Sequence, residues 1–213
     1  MSKEYGYIGK EVTQAFRDNK GIFTPQDIIE LDQENKWTNF GQLELIETQT
    51  VSSSVSTLEF TDLKDFNVHF FTVADAQNSD DSKGVAFRLY ESGTLESGSV
   101  YDTARQICAS GGSFSENRSS SNSAIRFGDN TLKSSSPRTK INGYLYFYNL
   151  LDSTRTSHTT QHSSNFSNSG DFRSFFGSNV LPQTSYVNQI QVMAFNTGTI
   201  DSGTFSLYGI RFA

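Results

Sequence analysis

From residue 42 onward the chain consists of short runs in which apolar and polar residues alternate. The runs are LELIETQTV, STLEFTDL, FNVHFFTV, GVAFRLYESGTL, KINGYLYFYNLL and the closing segment VNQIQVMAFNTGTIDSGTFSLYGIRF. They are rich in β-branched and aromatic residues and are bounded by Gly, Asn, Asp and Ser, a pattern typical of β-strands. Because each strand has one apolar face, two sheets must cover each other. The sequence predicts an all-β fold, an antiparallel jelly-roll β-sandwich of about eight strands.

The alternation also predicts which side chains face the core. In the run from 56 to 63, Leu58 and Phe60 form the apolar set. In the run from 84 to 95, Phe87 and Leu89 are predicted to point inward and Arg88 outward, because successive side chains of a strand point to opposite faces.

The closing segment predicts two strands, 187–194 and 204–212, joined by turns. Asn196, Gly198 and Gly203 tolerate positive φ, so the chain can turn back and pair the two runs as an antiparallel hairpin. The apolar phase of the second run shifts by one residue near Leu207, which predicts a bulge there.

Two segments interrupt the strand pattern. Residues 109–137 and 154–170 are dominated by Ser, Gly, Asn and Thr, and the first contains two apolar islands, Phe114 and the run from Ala124 to Phe127. We expect long surface loops, the first containing one short strand. A linker between two domains is the alternative, but the second half has too few strands to form its own sandwich.

Residues 1–41 differ from the rest and are predicted to be an anchoring arm before the sandwich domain of residues 42–213. Thr24 fits a helix N-cap and Pro25 the first helical residue, so one or two short helices are expected here. The predicted apolar anchors are Phe23, Ile28, Leu31 and Trp37. This set is too small for a core of its own, so it packs either on the chain's own β-domain or into a neighbouring chain.

Composition excludes several functions. The chain has 17 basic and 23 acidic residues, a formal net charge of −6 and no basic run, which argues against nucleic-acid binding. Cys108 is the only cysteine, so no intrachain disulfide is possible. No apolar run approaches the roughly 18 residues of a membrane span or forms a signal peptide, so we expect a soluble protein made in the cytoplasm.

The sequence shows no motif of a catalytic or metal centre. No Gly-x-Ser-x-Gly elbow is present, and the Asp and Glu residues fall mostly in predicted turns and on outward faces, so an enzyme is not expected. His158 and His162 are four residues apart, but their polar surroundings disfavour a helix and offer no third ligand. The stretch 75–81 has calcium-like oxygen spacing but lacks the glycine and distal glutamate, and is predicted to be a solvated turn. No cofactor or metal is predicted.

The run GYLYFY contains the most suggestive binding element. Alternation places Leu145 and Phe147 on one face and Tyr144, Tyr146 and Tyr148 on the other. Such a stripe of rings with hydroxyls can anchor a partner chain or stack on sugar rings. The alternative is that both faces are buried beneath a covering layer.

The strand runs VSTLEFTDL, FNVHFFTV, GVAFRLYESG and GYLYFYNL, followed by QIQVMAF and IDSGTFSLYGIRF, occur in this order along the chain. They resemble a widespread group of tailed-bacteriophage virion proteins with jelly-roll domains, whose C-termini end in an aromatic-rich SGTF-x-LYG strand. The N-terminal KGIFTP with Leu31 and Trp37 is similar to the leader of phage fibre-type proteins. Segments 109–137 and 154–170 match no motif of that group, so no receptor-binding role is carried over to them.

The resemblance implies a virion component of the tail-fibre or capsid-decoration type, with no catalytic residues. We therefore expect a structural virion protein, synthesised in the host cytoplasm, held to the particle by residues 1–41, with other virion proteins and copies of itself as partners. The alternative function is a lectin-like carbohydrate-binding module that recognises host-surface glycan.

Overall fold

The structure of the protein is a computed structural model. It describes residues 25, 26, 29, 43–80, 84–128, 140–167 and 170–210. By its internal contacts the chain divides into two units, Met1–Gln42 with Ala213 and Leu43–Phe212. Apart from Pro25, the predicted helix start and the predicted anchors lie outside the described residues, so the arm stays a prediction. These anchors are Phe23, Ile28, Leu31 and Trp37.

The second unit is built of β-strands. Thirteen strands lie in the described residues: β1 Leu43–Val51, β2 Thr57–Phe60, β3 Val68–Asn78, β4 Val85–Glu91, β5 Thr94–Leu95, β6 Tyr101–Ala109, β7 Phe114–Asn122, β8 Ile125–Phe127, β9 Ile141–Tyr148, β10 Thr156–Phe166, β11 Phe172–Thr184, β12 Val187–Ala194 and β13 Ile200–Ile210.

The strands form two antiparallel sheets. The large sheet has eight strands in the order β1-β13-β3-β9-β10-β11-β6-β7. The small sheet has the order β2-β12-β4-β5, and β8 also pairs with β4. The predicted all-β antiparallel fold is confirmed.

Phenylalanine rings from both sheets meet between them. Phe60 of β2 contacts Phe71 of β3 edge-on, with ring centroids 5.0 Å apart, and Phe71 contacts Phe87 of β4 at 5.1 Å. Phe87 also contacts Phe147 of β9 at 5.8 Å. Edge-to-face packing of this kind adds to the free energy that burial supplies. The two sheets therefore enclose a single apolar core, and the fold is a β-sandwich.

The predicted inward side chains of β2 and β4 are in this core. Leu58, Phe60, Phe87 and Leu89 are all buried, whereas Arg88 is only half-buried. The predicted alternation is confirmed for both strands.

The predicted C-terminal hairpin is wrong. β12 pairs with β2 and β4 in the small sheet, and β13 pairs with β1 and β3 in the large sheet. The chain turns at Asn196 and Gly198, which both have positive φ, but it crosses from one sheet to the other. Alternation identifies a strand and its apolar face but does not identify its partner. Ile190 and Phe205 both face the core, from opposite sides of it.

A bulge does lie opposite Leu207, but its extra residue, Ile46, is on the partner strand β1. The pairing of β1 with β13 slips between Leu45 and Glu47, on the partner strand, and the irregularities of β13 against β3 lie between Ile200 and Thr204. The apolar phase changes at Leu207 because Tyr208 points to the other face of the large sheet. Both faces of β13 therefore carry apolar side chains.

Gly209, near the end of the SGTF-x-LYG motif, allows a close contact. A Cβ atom there would lie 2.2 Å from Cδ2 of Phe66, closer than two carbon atoms can approach. The buried ring of Phe66 thus packs directly against the backbone of β13.

The predicted loop at 154–170 is wrong, because it contains β10, an interior strand of the large sheet. The predicted loop at 109–137 contains β7 and the short strand β8, of which only β8 was expected. β6 and β11 were not predicted at all. These four missed strands, β6, β7, β10 and β11, lie side by side at one end of the large sheet, and we call them the extension.

The strands of the extension were missed because many of their core-facing residues are polar, although Tyr101 of β6 and Phe175 and Leu181 of β11 are buried apolar exceptions. Thr103 of β6 donates a hydrogen bond to Oδ1 of Asn179 on β11 (2.8 Å), and Nδ2 of Asn179 donates to Thr159 of β10 (3.1 Å). All three side chains are buried. Buried polar groups are tolerated when they are hydrogen-bonded, so this chain across three strands replaces apolar packing.

Further hydrogen bonds connect the extension to the chain around β8. Nη1 of Arg105 donates to the carbonyl of Gly128 (3.1 Å), and Nε2 of Gln161 donates to the carbonyl of Arg126 (2.9 Å). The amide of Gly128 donates to Oγ of Ser163 (3.1 Å). Polar side chains of the extension thus bind the backbone at the edge of the small sheet.

Candidate functional site

The three predicted tyrosines lie on the outer face of the large sheet. Leu145 and Phe147 are fully buried, whereas Tyr144 is 38% exposed and Tyr146 and Tyr148 are half-buried. The predicted division of β9 into two faces is confirmed. Among the residues that the structure describes, no layer covers these tyrosines.

Strand pairing brings two more rings to the tyrosines from one side. Tyr146 lies opposite Phe70 of β3, which lies opposite Tyr208 of β13. The ring centroids of Phe70 are 4.9 Å from Tyr146 and 6.0 Å from Tyr208. Residues directly opposite each other share a face of the sheet, so these rings form a continuous row.

On the other side, the extension adds three rings. Tyr148 stacks on His158 of β10 with centroids 4.9 Å apart, and Tyr144 meets His162 edge-on at 5.7 Å. His162 in turn stacks on Phe176 of β11 at 4.4 Å. We call the whole set the aromatic band: Phe70, Tyr144, Tyr146, Tyr148, His158, His162, Phe176 and Tyr208.

Hydrogen bonds fix two rings of the aromatic band. The hydroxyl of Tyr148 lies 3.3 Å from Oγ1 of Thr160, and Nε2 of His162 lies 3.0 Å from Oγ of Ser174. Both partners are on the same outer face. The rings are therefore held in place before any ligand binds, which lowers the entropy that binding would cost.

The outer face around the aromatic band is uncharged. At the directly paired positions of β1, β13, β3, β9 and β10, none of the outward residues is Asp, Glu, Lys or Arg. These residues are Leu43, Leu45, Thr48, Thr50, Thr204, Ser206, Tyr208, Ile210, Val68, Phe70, Thr72, Ala74, Asn142, Tyr144, Tyr146, Tyr148, His158, Thr160, His162 and Ser164. The exposed Asp75, whose amide donates to Oδ1 of Asn142 (2.9 Å), lies in the irregularity of β3 at the margin of this face. Leu45, at the edge, is 57% exposed. Depletion of charge with enrichment of tyrosine and phenylalanine is typical of the centre of a protein interface.

Charged side chains begin at the rim of this face. Nζ of Lys140 donates hydrogen bonds to Oε1 of Gln77 (3.0 Å) and Oγ of Ser202 (2.8 Å). At the opposite side, Glu116 and Arg118 lie exposed on β7. A polar rim around an apolar centre is the usual anatomy of a protein interface.

Within the described residues, neither His158 and His162 nor the stretch with calcium-like spacing forms a group of metal ligands. His158 and His162 are on one strand, where four residues span about 13 Å, and each stacks on a different ring. The predicted solvated turn at 75–81 is wrong for 75–78, because β3 continues to Asn78, whose side chain is buried and donates to the carbonyl of Gly84 (2.8 Å). Within the described ranges, no three His, Cys, Asp or Glu side chains are grouped to hold a metal ion.

The third histidine, His69, faces the interior. Nε2 of His69 lies 2.7 Å from the carbonyl of Leu63, an acceptor, so Nε2 carries the proton of the neutral ring. Burial lowers the pKa of His69, although the hydrogen bonds to backbone carbonyls oppose this. His69 therefore contributes to the stability of the fold and is not part of the aromatic band.

The aromatic band combines a predicted part with an unpredicted one. The tyrosines were found from alternation, but Phe70 and Tyr208 needed the strand register, and His158, His162 and Phe176 lay in segments without a predicted strand. The signal available for β10 was its period-two spacing of Thr and His in TSHTTQH.

In the part of the chain that is described, no helix has the length and apolar character needed to cross a membrane. No protein-family model, curated protein or solved structure matches the chain.

Proposed function

We propose that the chain is a structural protein of a tailed-phage virion, a fibre-like or capsid-decoration component that displays its β-sandwich on the particle surface. The observation that carries the proposal is the exposed, uncharged aromatic face of the large sheet. A face of this kind suits a protein that assembles, because its burial releases water from several rings at once.

The strand order supports a jelly-roll topology for this sandwich. Without the extension, the large sheet is β1-β13-β3-β9, and β2-β12-β4-β8 form the layer that covers it. Eight strands in two such layers, with sequential strands alternating between layers except for the pair β4 and β8, fit a double-sheet jelly roll. The extension then consists of two hairpins, β6 with β7 and β10 with β11, inserted into the connections of the jelly roll.

A second copy of the chain is the partner that fits the uncharged face best. The whole chain carries a net charge of −6, so most surface contacts between copies would bring like charges together. The aromatic face avoids this repulsion, and it offers no charge pattern by which to select a different, charged partner. Two copies related by a two-fold axis would bury the same rings against each other.

The remaining parts of the proposal come from the sequence resemblance. Residues 1–41 attach the protein to other virion proteins, and the protein is found in the virion after synthesis in the host cytoplasm. Recognition of host-surface glycan by Tyr144, Tyr146 and Tyr148 is the alternative function. The lack of charged hydrogen-bonding groups beside these tyrosines favours a protein partner at this place.

Incorporation into particles tests the proposal. Deletion of residues 1–41 should remove the protein from purified particles, as measured by mass spectrometry of their protein content, while the thermal melt of the free protein stays cooperative. Phe172→Ser, outside both the arm and the aromatic band, is the control and should be incorporated normally. Particles that lack the unmodified protein, or that incorporate the truncated protein normally, would refute the proposal.

A further inference from the structure

A shallow groove of about 430 Å³ lies beside the last ring of the aromatic band. It crosses the outer face of β11, β6 and β7, and its outward side chains are Phe176, Ala104, Gln106, Glu116 and Arg118. Its volume is in the range of small-ligand sites, about 300–1,000 Å³. The small side chain of Ala104 leaves the space between Phe176 and Arg118 open.

One wall of the groove is an aromatic ring that is held in position. Phe176 stacks on His162 with ring centroids 4.4 Å apart and ring planes inclined by 12°. His162 is itself fixed by its contact with Oγ of Ser174 (3.0 Å). Phe176 is nevertheless 44% exposed. The imidazole covers one face of the phenyl ring, and the exposed part of the ring lines the groove beside Gln106, its cross-strand neighbour on β6.

The other side of the groove carries an amide, a carboxylate and a guanidinium, so it offers both hydrogen-bond donors and acceptors. Gln106 is exposed and offers an amide donor and an amide acceptor. Nε of Arg118 lies 3.6 Å from Oε1 of Glu116, and both side chains are largely exposed. Because the carboxylate and the guanidinium have opposite charges, the wall as a whole favours no net charge on a ligand.

We infer that this groove binds a hexopyranose unit of a neutral polysaccharide. The C–H face of the sugar ring continues the stack of His162 and Phe176, and the hydroxyl groups contact Gln106, Glu116 and Arg118. A hexose has an apolar face and a rim of hydroxyls that both donate and accept, which matches the two walls. The polysaccharide site shares Phe176 with the aromatic band but lies beyond the tyrosines that are proposed to meet between copies, and it does not depend on that contact.

Affinity electrophoresis of the full-length protein tests the inference, with dextran, mannan, galactan and xylan in the gels as four pyranose polymers. At least one should retard the protein. Phe176→Ser should weaken that retardation at least tenfold, and Gln106→Ala about threefold to tenfold, since each removes one of the walls. Circular dichroism shows whether each variant is folded.

Phe172→Ser is the matched control, because Phe172 is on the same strand, four residues away and 43% exposed, and should bind the polysaccharide normally. Retardation by none of the four polymers would overturn the inference. So would equal losses in Phe176→Ser and Phe172→Ser, which indicate unspecific adhesion. Tyr146→Lys separates the two proposals, since it should abolish association between copies and leave the retardation intact.

Discussion

β9 and β10 are neighbours in the large sheet and both bury one face, but they do so with different chemistry. β9 buries Leu145 and Phe147, whereas β10 buries Thr159, Gln161 and Ser163. The first is stabilised by transfer of apolar surface out of water. β10 is stabilised by hydrogen bonds that offset the free-energy cost of removing each polar group from water. Burial in this sandwich therefore does not require an apolar side chain, provided that a partner is in reach.

The same contrast separates the apolar two-layer region from the extension. In the two-layer region, phenylalanines from both sheets interlock, and many similar packings would be nearly as stable. In the extension, Thr103, Asn179 and Thr159 must face one another in register, because a slip of one strand would leave each without its partner. We expect substitutions in the two regions to change the free energy of unfolding by different amounts and for different physical reasons.

The largest effect is expected for Phe205→Ala, in the two-layer region. The ring is fully buried on β13, an interior strand, so its removal should lower the free energy of unfolding by about 3–5 kcal/mol. Denaturant melts measure this change. A loss below about 1 kcal/mol would mean that the ring is in contact with water.

A smaller loss is expected for Asn179→Ala, in the extension. It leaves the hydroxyls of Thr103 and Thr159 without their shared partner, and should cost about 1–3 kcal/mol in the same melts. Ser178→Ala, the exposed neighbour, is the control and should stay within about 0.5 kcal/mol of the parent. If both variants melt like the parent, the hydrogen bonds do not stabilise the extension.

The two-layer region also contains a titratable group, His69, whose pKa is lowered by burial from its ordinary value of 6.5. Below pH 6.5 the unfolded chain binds a proton that the folded chain does not, so stability falls as pH falls from 6.5 to the lower folded pKa. In this window, His69→Gln should reduce the slope of the free energy of unfolding against pH by up to about 1.4 kcal/mol per pH unit. An unchanged slope, measured by melts between pH 5 and pH 7 in steps of about half a unit, would contradict the burial of a neutral ring.

The smallest effect is expected for Cys108→Ser, in the extension. Cys108 is exposed and pairs across strands with Phe114 and Ser174. The change should stay within about 0.5 kcal/mol, as for most surface substitutions. A larger loss would show that the outer face of the extension is packed more tightly than its exposure indicates.

The sequence predicts the apolar region well and the extension poorly, for a physical reason. Alternation of apolar and polar residues identified β9, with Leu145 and Phe147 on its inner face and the tyrosines on its outer face. In β10 both faces are polar, so the signal disappears although the strand is central. Alternation also cannot specify partners, which is why β12 and β13 were predicted to pair. The aromatic band needed both the alternation and the strand pairing, because five of its eight rings come from strands that only the register brings beside β9.

Sedimentation of the purified protein tests the proposed contact between copies most directly. The unmodified chain should sediment as an oligomer, and Tyr146→Lys should sediment as a monomer with an unchanged melting curve. Position 146 is at the centre of the aromatic band, so a lysine there stays in contact with water only when no second copy covers the face. Ser120→Lys, which adds the same charge at an exposed position of β7, should remain an oligomer. A monomeric parent protein, or a Tyr146→Lys variant that sediments with the parent, would contradict assembly through this face.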